Sequence, residues 1–277
     1  MPEAFKLFDA HVHVGRWKTP DFAGHQSDLA SVCGVLASCG ITGALVMPTD
    51  DGNNVGLARA IADSGGKSRL KLMMAAWVDP HDPDATMEFL EGHYPMVSAL
   101  KLHPSFARLP ITDQAFRPFF EFAAQSGLPI VTHCGRWREV AGWERALEMA
   151  ESFPDVPIVL SHMGGDSPTL VAGASNAIKE RKLNNAYLGT ESIREPWVVG
   201  RAIDTLGADR LIFGSDHNLN HPNSFIAVIN ALGLSNEEKA QILGKNAQRL
   251  LRYDEGRRDH SNDNAAISAI SNKLGAE

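Results

Sequence analysis

The sequence predicts an α/β protein, a single (β/α)8 barrel of the TIM type that ends in a short polar tail. Its length of 277 residues is normal for such barrels, which typically have about 250 residues. Short apolar runs alternate with longer stretches of helical spacing, which is the pattern of a parallel sheet. Eight such runs can be placed, and eight parallel strands close into a barrel.

The predicted elements follow one another along the chain as strand and helix. Helices begin at polar capping residues such as Asp28, Asp82, Asp113 and Ser235. Glycines such as Gly127 stand where helices should end, shortly before the next strand. The predicted strands are residues 5–10, 43–47, 70–77, 97–102, 128–132, 157–161, 185–189 and 210–215.

One domain is expected over residues 1–253, because no Pro/Gly/Ser-rich linker divides it. Residues 254–277 form a polar tail or appended helix, in which Ile267, Ile270 and Leu274 make a weak helical stripe. We expect this segment to be frayed or docked on the surface, with a homodimer contact as the alternative.

Charge and composition exclude several classes of protein. The formal net charge is −7 and no Lys/Arg stripe is present, which disfavours nucleic acid as a partner. No stretch approaches the about 18 apolar residues that span a bilayer, so no membrane partner is expected. Three cysteines, an odd number, suit a reducing compartment, and we predict a cytoplasmic protein.

Candidate metal ligands follow the apolar runs. His11 and His13 are two residues apart, so on a strand they share one face and make a two-pronged metal grip. His133, His162 and Asp216 each close a later strand, at the edge where barrels carry their sites. A buried core histidine or a helix N-cap is the alternative for each one alone, and the residues by themselves do not separate ligand from catalytic histidine.

A set of short motifs occurs in a specific order. Taken together they resemble the amidohydrolase superfamily, in particular its amidohydrolase-2 branch of metal-dependent hydrolases and decarboxylases, over about residues 5 to 252. The motifs are Asp-Ala-His-Val-His at 9–13, Thr-His-Cys-Gly at 132–135, Ser-His-Met-Gly-Gly at 161–165, Gly-Ser-Asp at 214–216 and the segment 242–250.

The resemblance implies a division of roles. It makes His11, His13, His133 and Asp216 the ligands of one divalent ion, usually zinc. It makes His162 the histidine that polarises the substrate or orients water, so that Asp216 and His162 are the predicted catalytic residues.

Lys101 and His103 share a face of the fourth strand. In binuclear members of the superfamily a carbamylated lysine at this place bridges two metals, which is the minority interpretation here. We expect instead that Lys101 packs or anchors a substrate anion and that His103 lines the pocket.

Loops at the predicted mouth carry three arginines, Arg136, Arg138 and Arg194. Guanidinium groups bind carboxylates in a fork, so a small carboxylated or otherwise anionic substrate is the hypothesis. Surface ion pairs with nearby glutamates are the open alternative. Glu191 is added to the substrate-binding set as a second acid near the metal, at a position that is commonly Ser- or Thr-like in this branch.

The leading functional prediction is hydrolysis of an ester, lactone or amide. The ion would lower the pKa of its bound water and Asp216 would accept the proton. The alternative is non-oxidative decarboxylation of the aminocarboxymuconate-semialdehyde decarboxylase type. Decarboxylases of this branch are often longer, which favours hydrolysis. A barrel that binds metal without turnover is a second alternative.

Overall fold

A computed structural model describes residues 6–65, 70–135 and 137–252. Within them the strands form one curled sheet in the order β2-β1-β3-β4-β5-β6-β7-β8-β9. The short β2 pairs antiparallel with the end of β1, and all other neighbours are parallel. The strands are β1 Leu7–Arg16, β2 Gln26–Ser27, β3 Ile41–Pro48, β4 Lys71–Trp77, β5 Val97–Leu102, β6 Ile130–Thr132, β7 Ile158–Leu160, β8 Ala186–Gly189 and β9 Leu211–Ile212.

The two ends of the parallel sheet meet. The amide of Ala10 donates to the carbonyl of Phe213 at 2.9 Å, and the amide of Asp216 donates to the carbonyl of His11 at 3.0 Å. Val12 also bridges His217 in a parallel sense. The segment after β9 therefore runs beside β1 and closes the eight parallel strands, which confirms the predicted α/β barrel.

Helices cover the outside of the sheet, and the starts predicted at Asp28, Asp82 and Ser235 are confirmed. Asp113 instead caps the 3-10 segment Gln114–Phe116, which precedes the α-helix Arg117–Ser126. Asp28 caps α1, Asp82 caps α3 and Ser235 forms a capping box with Glu238. The helices are α1 Leu29–Ser38, α2 Asn54–Ser64, α3 Pro83–His93, α4 Pro104–Ala107, α5 Arg117–Ser126, α6 Arg138–Ala141, α7 Trp143–Ser152, α8 Pro168–Glu180, α9 Pro196–Leu206, α10 Pro222–Asn230, α11 Asn236–Ala240 and α12 Asn246–Leu250. Shorter turns are the 3-10 segments Pro20–Phe22, Tyr94–Met96, Gln114–Phe116, Ser161–Gly164 and Ala208–Arg210 and the π segment Gln241–Lys245.

Strand residues alternate between two cores, as the pleat requires. In β3, Leu45 and Met47 belong to the cluster inside the barrel, whereas Ala44 and Val46 pack outward against the helices. The inside cluster also contains Ala99, Val131 and Val159 of the following strands. Two positions after these three residues come Lys101 on β5, His133 just after β6 and Ser161 just after β7. The same alternation therefore directs polar side chains inward at the carboxyl end of the barrel.

The first strand differs from its predicted bounds. It runs on past Ala10 to Arg16, so His11 and His13 lie within β1 and not after it. Its pairing with β3 shifts register between Asp9 and Val12, so Phe8 and Ala10 belong to the inside cluster while Val12 and Val14 belong to the outer one. One extra residue at this bulge reverses the faces, and the two histidines point into the barrel.

Among the described residues, no helix has both the length and the apolar content needed to cross a bilayer. The predicted tail, residues 254–277, lies outside the described residues. Cys33 and Cys39 are half-buried and pack against the outer core, as small apolar thiols commonly do.

Candidate metal centre and active site

Three predicted ligands converge at the carboxyl end of the barrel. Nitrogen or oxygen atoms of His11, His13 and Asp216 all lie within 4.8 Å of one another. The two Nε2 atoms are 3.2 Å apart, and Asp216 Oδ1 lies 3.5 Å from His13 Nε2 and 3.7 Å from His11 Nε2. All three residues are buried. Three electron-rich groups in so small a space are stabilised by a cation, and this donor set fits a divalent ion.

Contacts behind His13 fix which of its ring nitrogens is free. Nδ1 lies 2.8 Å from the carbonyl oxygen of Pro48 at the end of β3, and a carbonyl only accepts, so Nδ1 carries the proton. Burial, followed by the proximity of His11, lowers the pKa of His13 to about 3. The neutral ring therefore presents an Nε2 lone pair to the cluster.

Asp216 supplies the anionic group. Burial works to raise the pKa of this carboxyl, but the neighbouring His11, His162 and His13 outweigh it and lower the pKa below its usual range. Ser192 Oγ donates to Oδ2 at 3.4 Å, which leaves Oδ1 directed at the histidines. The backbone at Asp216 has a φ of 59°, a left-handed conformation uncommon for a residue other than glycine.

Lys101 reaches the same cluster from β5. Its Nζ lies 3.3 Å from His11 Nε2, and its side chain is almost completely buried. An ammonium group only donates, so His11 Nε2 accepts here and the His11 proton sits on Nδ1. Burial lowers the pKa of Lys101 to about 8, against the raising influence of Glu191 and Asp216. Lys101 thus brings a cation to a site that otherwise collects acids and histidines.

His133 and His162 form a second group beside the first. The Nδ1 of His162 is 3.3 Å from the backbone carbonyl of Glu191, and its Nε2 is 3.1 Å from His133 Nδ1. The carbonyl fixes the proton on His162 Nδ1, so His133 Nδ1 donates to His162 Nε2 and His133 keeps an Nε2 lone pair. Burial lowers the pKa of both rings. His133 stacks on His103 with ring centres 4.0 Å apart.

A cavity of about 200 Å³ opens over both groups. Pockets for drug-sized ligands have volumes of about 300–1,000 Å³, so this smaller cavity suits a small molecule. Trp17 lies 4.8 Å from the His13 ring, and Phe106 stacks on His103 at 3.9 Å, measured between ring centres. Trp137, half exposed, stands at the same cavity. Flat aromatic walls above metal-ligand candidates favour a flat substrate.

The predicted substrate-binding residues divide into two groups. Lys101 and His103 line the cavity, and Arg194 lines an adjoining space that also touches Ser192 and Asp216. Arg138 instead pairs with Glu144 at 2.6 Å on the surface, outside the lining of the cavity, as the open alternative held.

Neither Glu191 nor Arg136, the two remaining predicted substrate-binding residues, is seen at the cavity in the described part of the chain. Glu191 is buried behind His11, outside the lining of the cavity, with Oε1 2.8 Å from His11 Nδ1. Burial opposes ionisation of Glu191, but His11 and then His162 outweigh it and lower its pKa to about 2. Arg136 lies outside the described residues.

Sequence reasoning missed the aromatic walls and one buried acid. Trp17 Nε1 donates to Asn218 Oδ1 at 2.8 Å, which ties the loop after β1 to the loop after β9. Asp9 accepts from the amides of His11 and Ser215, and burial raises its pKa to about 7. The available signal was apolar aromatic residues in loops that follow ligand-bearing strands, where solvent exposure would not favour them.

A family model described as Amidohydrolase matches residues 52–253. A search of curated protein sequences finds no match.

Solved structures are similar over most of the chain. A 2,6-dihydroxybenzoate decarboxylase from Rhizobium is 15% identical, with 91% of this chain and 100% of that chain covered and a TM-score of 0.72. A 5-carboxyvanillate decarboxylase from Sphingomonas paucimobilis is 17% identical over 90% and 99%, with a TM-score of 0.68. Another, from Novosphingobium aromaticivorans, complexed with manganese and 4-hydroxy-3-methoxy-5-nitrobenzoic acid, is 11% identical over 91% and 97%, with a TM-score of 0.71. At these identities the likeness shows the fold.

Proposed function

The chain belongs to the amidohydrolase family, and from that premise we propose that it is a metal-dependent enzyme that removes carbon dioxide from a small, flat carboxylic acid. The observation that carries the proposal is the cluster of His11, His13 and Asp216 beneath a cavity walled by Trp17 and Phe106. Metal donors beneath aromatic rings, with one buried cation beside them, match an aromatic or enoic acid better than a peptide or a sugar.

His11, His13 and Asp216 would hold a divalent ion, with His133 as the fourth ligand through its free Nε2. When bound, such an ion acts as a Lewis acid on a substrate oxygen. Zinc is the ion expected from sequence, and manganese, present with the N. aromaticivorans enzyme, is the other candidate. Lys101 anchors the substrate carboxylate by charge, and the aromatic walls hold the flat part of the molecule.

The reaction needs no oxidant. The bond between the substrate carbon and its carboxyl group breaks, the electron pair stays on that carbon, and a proton takes the place of the departing carbon dioxide. Asp216 is ionised at rest, so it would first take a proton from a donor such as a substrate hydroxyl and then deliver it to the carbon as carbon dioxide leaves. The hydroxyl would regain its proton from solvent. His162 hydrogen bonds to His133 and holds that ring in position.

The names of the similar structures support decarboxylation over hydrolysis. Three of them are decarboxylases of hydroxylated aromatic acids. The expectation that decarboxylases of this branch are longer favoured hydrolysis. This chain nevertheless aligns with 97–100% of the length of these three decarboxylases, so its length does not argue against decarboxylation. Hydrolysis, which the sequence favoured, receives no comparable support.

A product assay separates the reactions. Apoprotein reloaded with zinc or with manganese is incubated with hydroxybenzoic and enoic acids labelled with ¹³C in the carboxyl group, and in parallel with lactones and esters. We expect labelled carbon dioxide from an acid and no acid release from lactones, with Asp216→Asn inactive. Turnover of lactones alone would refute decarboxylation, and protein that binds no stoichiometric metal would refute both enzyme hypotheses. Stoichiometric metal without turnover of any of these compounds would leave the non-catalytic metal-binding barrel.

Two finer assignments stay predictions. A cytoplasmic location rests on composition, and a homodimer rests on residues outside the described ranges. Light scattering of the full chain measures the second directly.

A further inference from the structure

Glu191 is a buried acid that the proposed reaction does not use. It follows β8, is 1% exposed and lies outside the lining of the cavity, so a substrate in the cavity does not touch it. A buried carboxylate is costly unless donors satisfy it. Its position therefore requires an explanation other than the substrate binding expected from sequence.

One oxygen of Glu191, Oε1, faces the ring of His11. Within the described residues Oε1 makes no aligned hydrogen bond, and His11 Nδ1 lies 2.8 Å from it. Lys101 donates to His11 Nε2, which places the His11 proton on Nδ1, the nitrogen that faces Glu191. Ser161 Oγ also lies near that nitrogen, at 3.5 Å.

Two glycines make room for this carboxylate. A Cβ at Gly189 would lie 2.5 Å from Glu191 Oε2 and 2.7 Å from Oε1. A Cβ at Gly214 would lie 3.0 Å from Oε2 and 2.7 Å from the Cβ of His11. Neither glycine has a positive φ, so backbone conformation does not require them. Space for Glu191 beside His11 is thus left by Gly189 at the end of β8 and by Gly214 in the segment after β9.

We propose that Glu191 is a positioning residue that accepts the Nδ1 proton of His11 and so presents His11 Nε2 to the metal. The inference rests on the proposed metal site. His13 is oriented by the neutral Pro48 carbonyl and His11 by a carboxylate, so the two ligands are unequal. A carboxylate behind a ligating imidazole fixes its tautomer and raises its basicity, and removing such a partner typically weakens metal binding about 10- to 100-fold.

Two variants test the role from different directions. Glu191→Gln keeps the shape but removes the charge, and Gly189→Ala keeps the acid but pushes it away. The dissociation constant for Mn²⁺ is measured on apoprotein by competition with a chelator. The His11 Nδ1 proton is followed by NMR and assigned by its loss in His11→Asn. Glu121→Gln, which removes an exposed acid paired with Arg117, is the matched control.

We expect about 10- to 100-fold weaker Mn²⁺ binding in both variants, with an upfield shift of the His11 ring proton and no change in the control. Affinity within twofold of the unsubstituted protein and an unmoved ring proton would overturn the inference while leaving the metal site intact. If Glu191→Gln does not fold, Gly189→Ala decides. Failure of the unsubstituted protein to bind Mn²⁺ or Zn²⁺ would refute the metal site and this inference together.

Discussion

Replacing Lys101 by Met should make the metal-free protein more stable and the enzyme less active. Lys101 is 1% exposed and has lost most of its hydration, and its pKa falls from 10.5 to about 8 because of burial. At about 1.4 kcal/mol for each pH unit, that fall corresponds to about 3 kcal/mol of folding free energy spent on the buried charge. Met has a similar length and carries no charge, so Lys101→Met recovers much of this amount.

The stability difference between Lys101→Met and the original protein should depend on pH. The folded-state pKa is lower than the unfolded one, so the penalty is fully present below pH 8, where Lys101 is protonated in both states. It fades as the pH rises from 8 to 10.5, since the folded protein releases its proton first. The stability advantage of Met should therefore be about 3 kcal/mol at pH 7 and nearly absent above pH 10.5.

Urea unfolding of chelator-treated protein measures this difference. We expect a higher midpoint for Lys101→Met at pH 7 with an unchanged dependence on urea, and converging midpoints towards pH 10.5. The kcat/KM for the carboxylated substrate should fall about 30-fold or more, since losing one partner of a buried charge pair costs about 2–5 kcal/mol. A variant less stable than the original at pH 7, or one with full activity, would refute the reasoning.

Three further predictions concern the cavity wall, the surface and the core. Trp17→Ala should raise the KM for an aromatic acid about two- to twelvefold with little change in kcat, because an aromatic pair contributes about 0.5–1.5 kcal/mol. An unchanged KM in steady-state kinetics would exclude Trp17 from substrate contact. Arg138→Ala should leave kcat/KM unchanged and alter the free energy of unfolding by less than about 1 kcal/mol, since its ion pair with Glu144 is exposed. A large loss of activity would show instead that Arg138 acts in the active site. Asn246→Ala should destabilise by about 1–3 kcal/mol in urea unfolding, because its buried Nδ2 donates to two backbone carbonyls, and Asn246→Asp should be worse; the reverse order would contradict this account.

The α/β barrel could be predicted because it depends on local sequence patterns. Runs of apolar residues and caps such as Asp82 and Ser235 depend on neighbours a few positions away, and the structure has them where the sequence predicts them. The inward direction of Lys101 likewise follows from the period of two along its own strand. These features need no knowledge of what lies across the barrel.

Other features depend on pairings between remote segments. The first strand was expected to end at Ala10, but a bulge that appears only in its register with β3 extends it and turns His11 and His13 inward. Likewise, Glu191 lies 180 positions from His11 in the chain, and only the closure of the barrel brings its Oε1 within 2.8 Å of that ring. Arg138 shows the converse, since a nearby glutamate holds it on the surface.

The sequence by itself determined the α/β barrel and the types of residue at the ends of its strands, because strand, helix and side-chain period are local properties. The tertiary structure decided which of those side chains meet. The His11, His13 and Asp216 cluster, the aromatic walls and the place of Glu191 depend on strand register and barrel closure, which are set by packing between segments far apart in the chain.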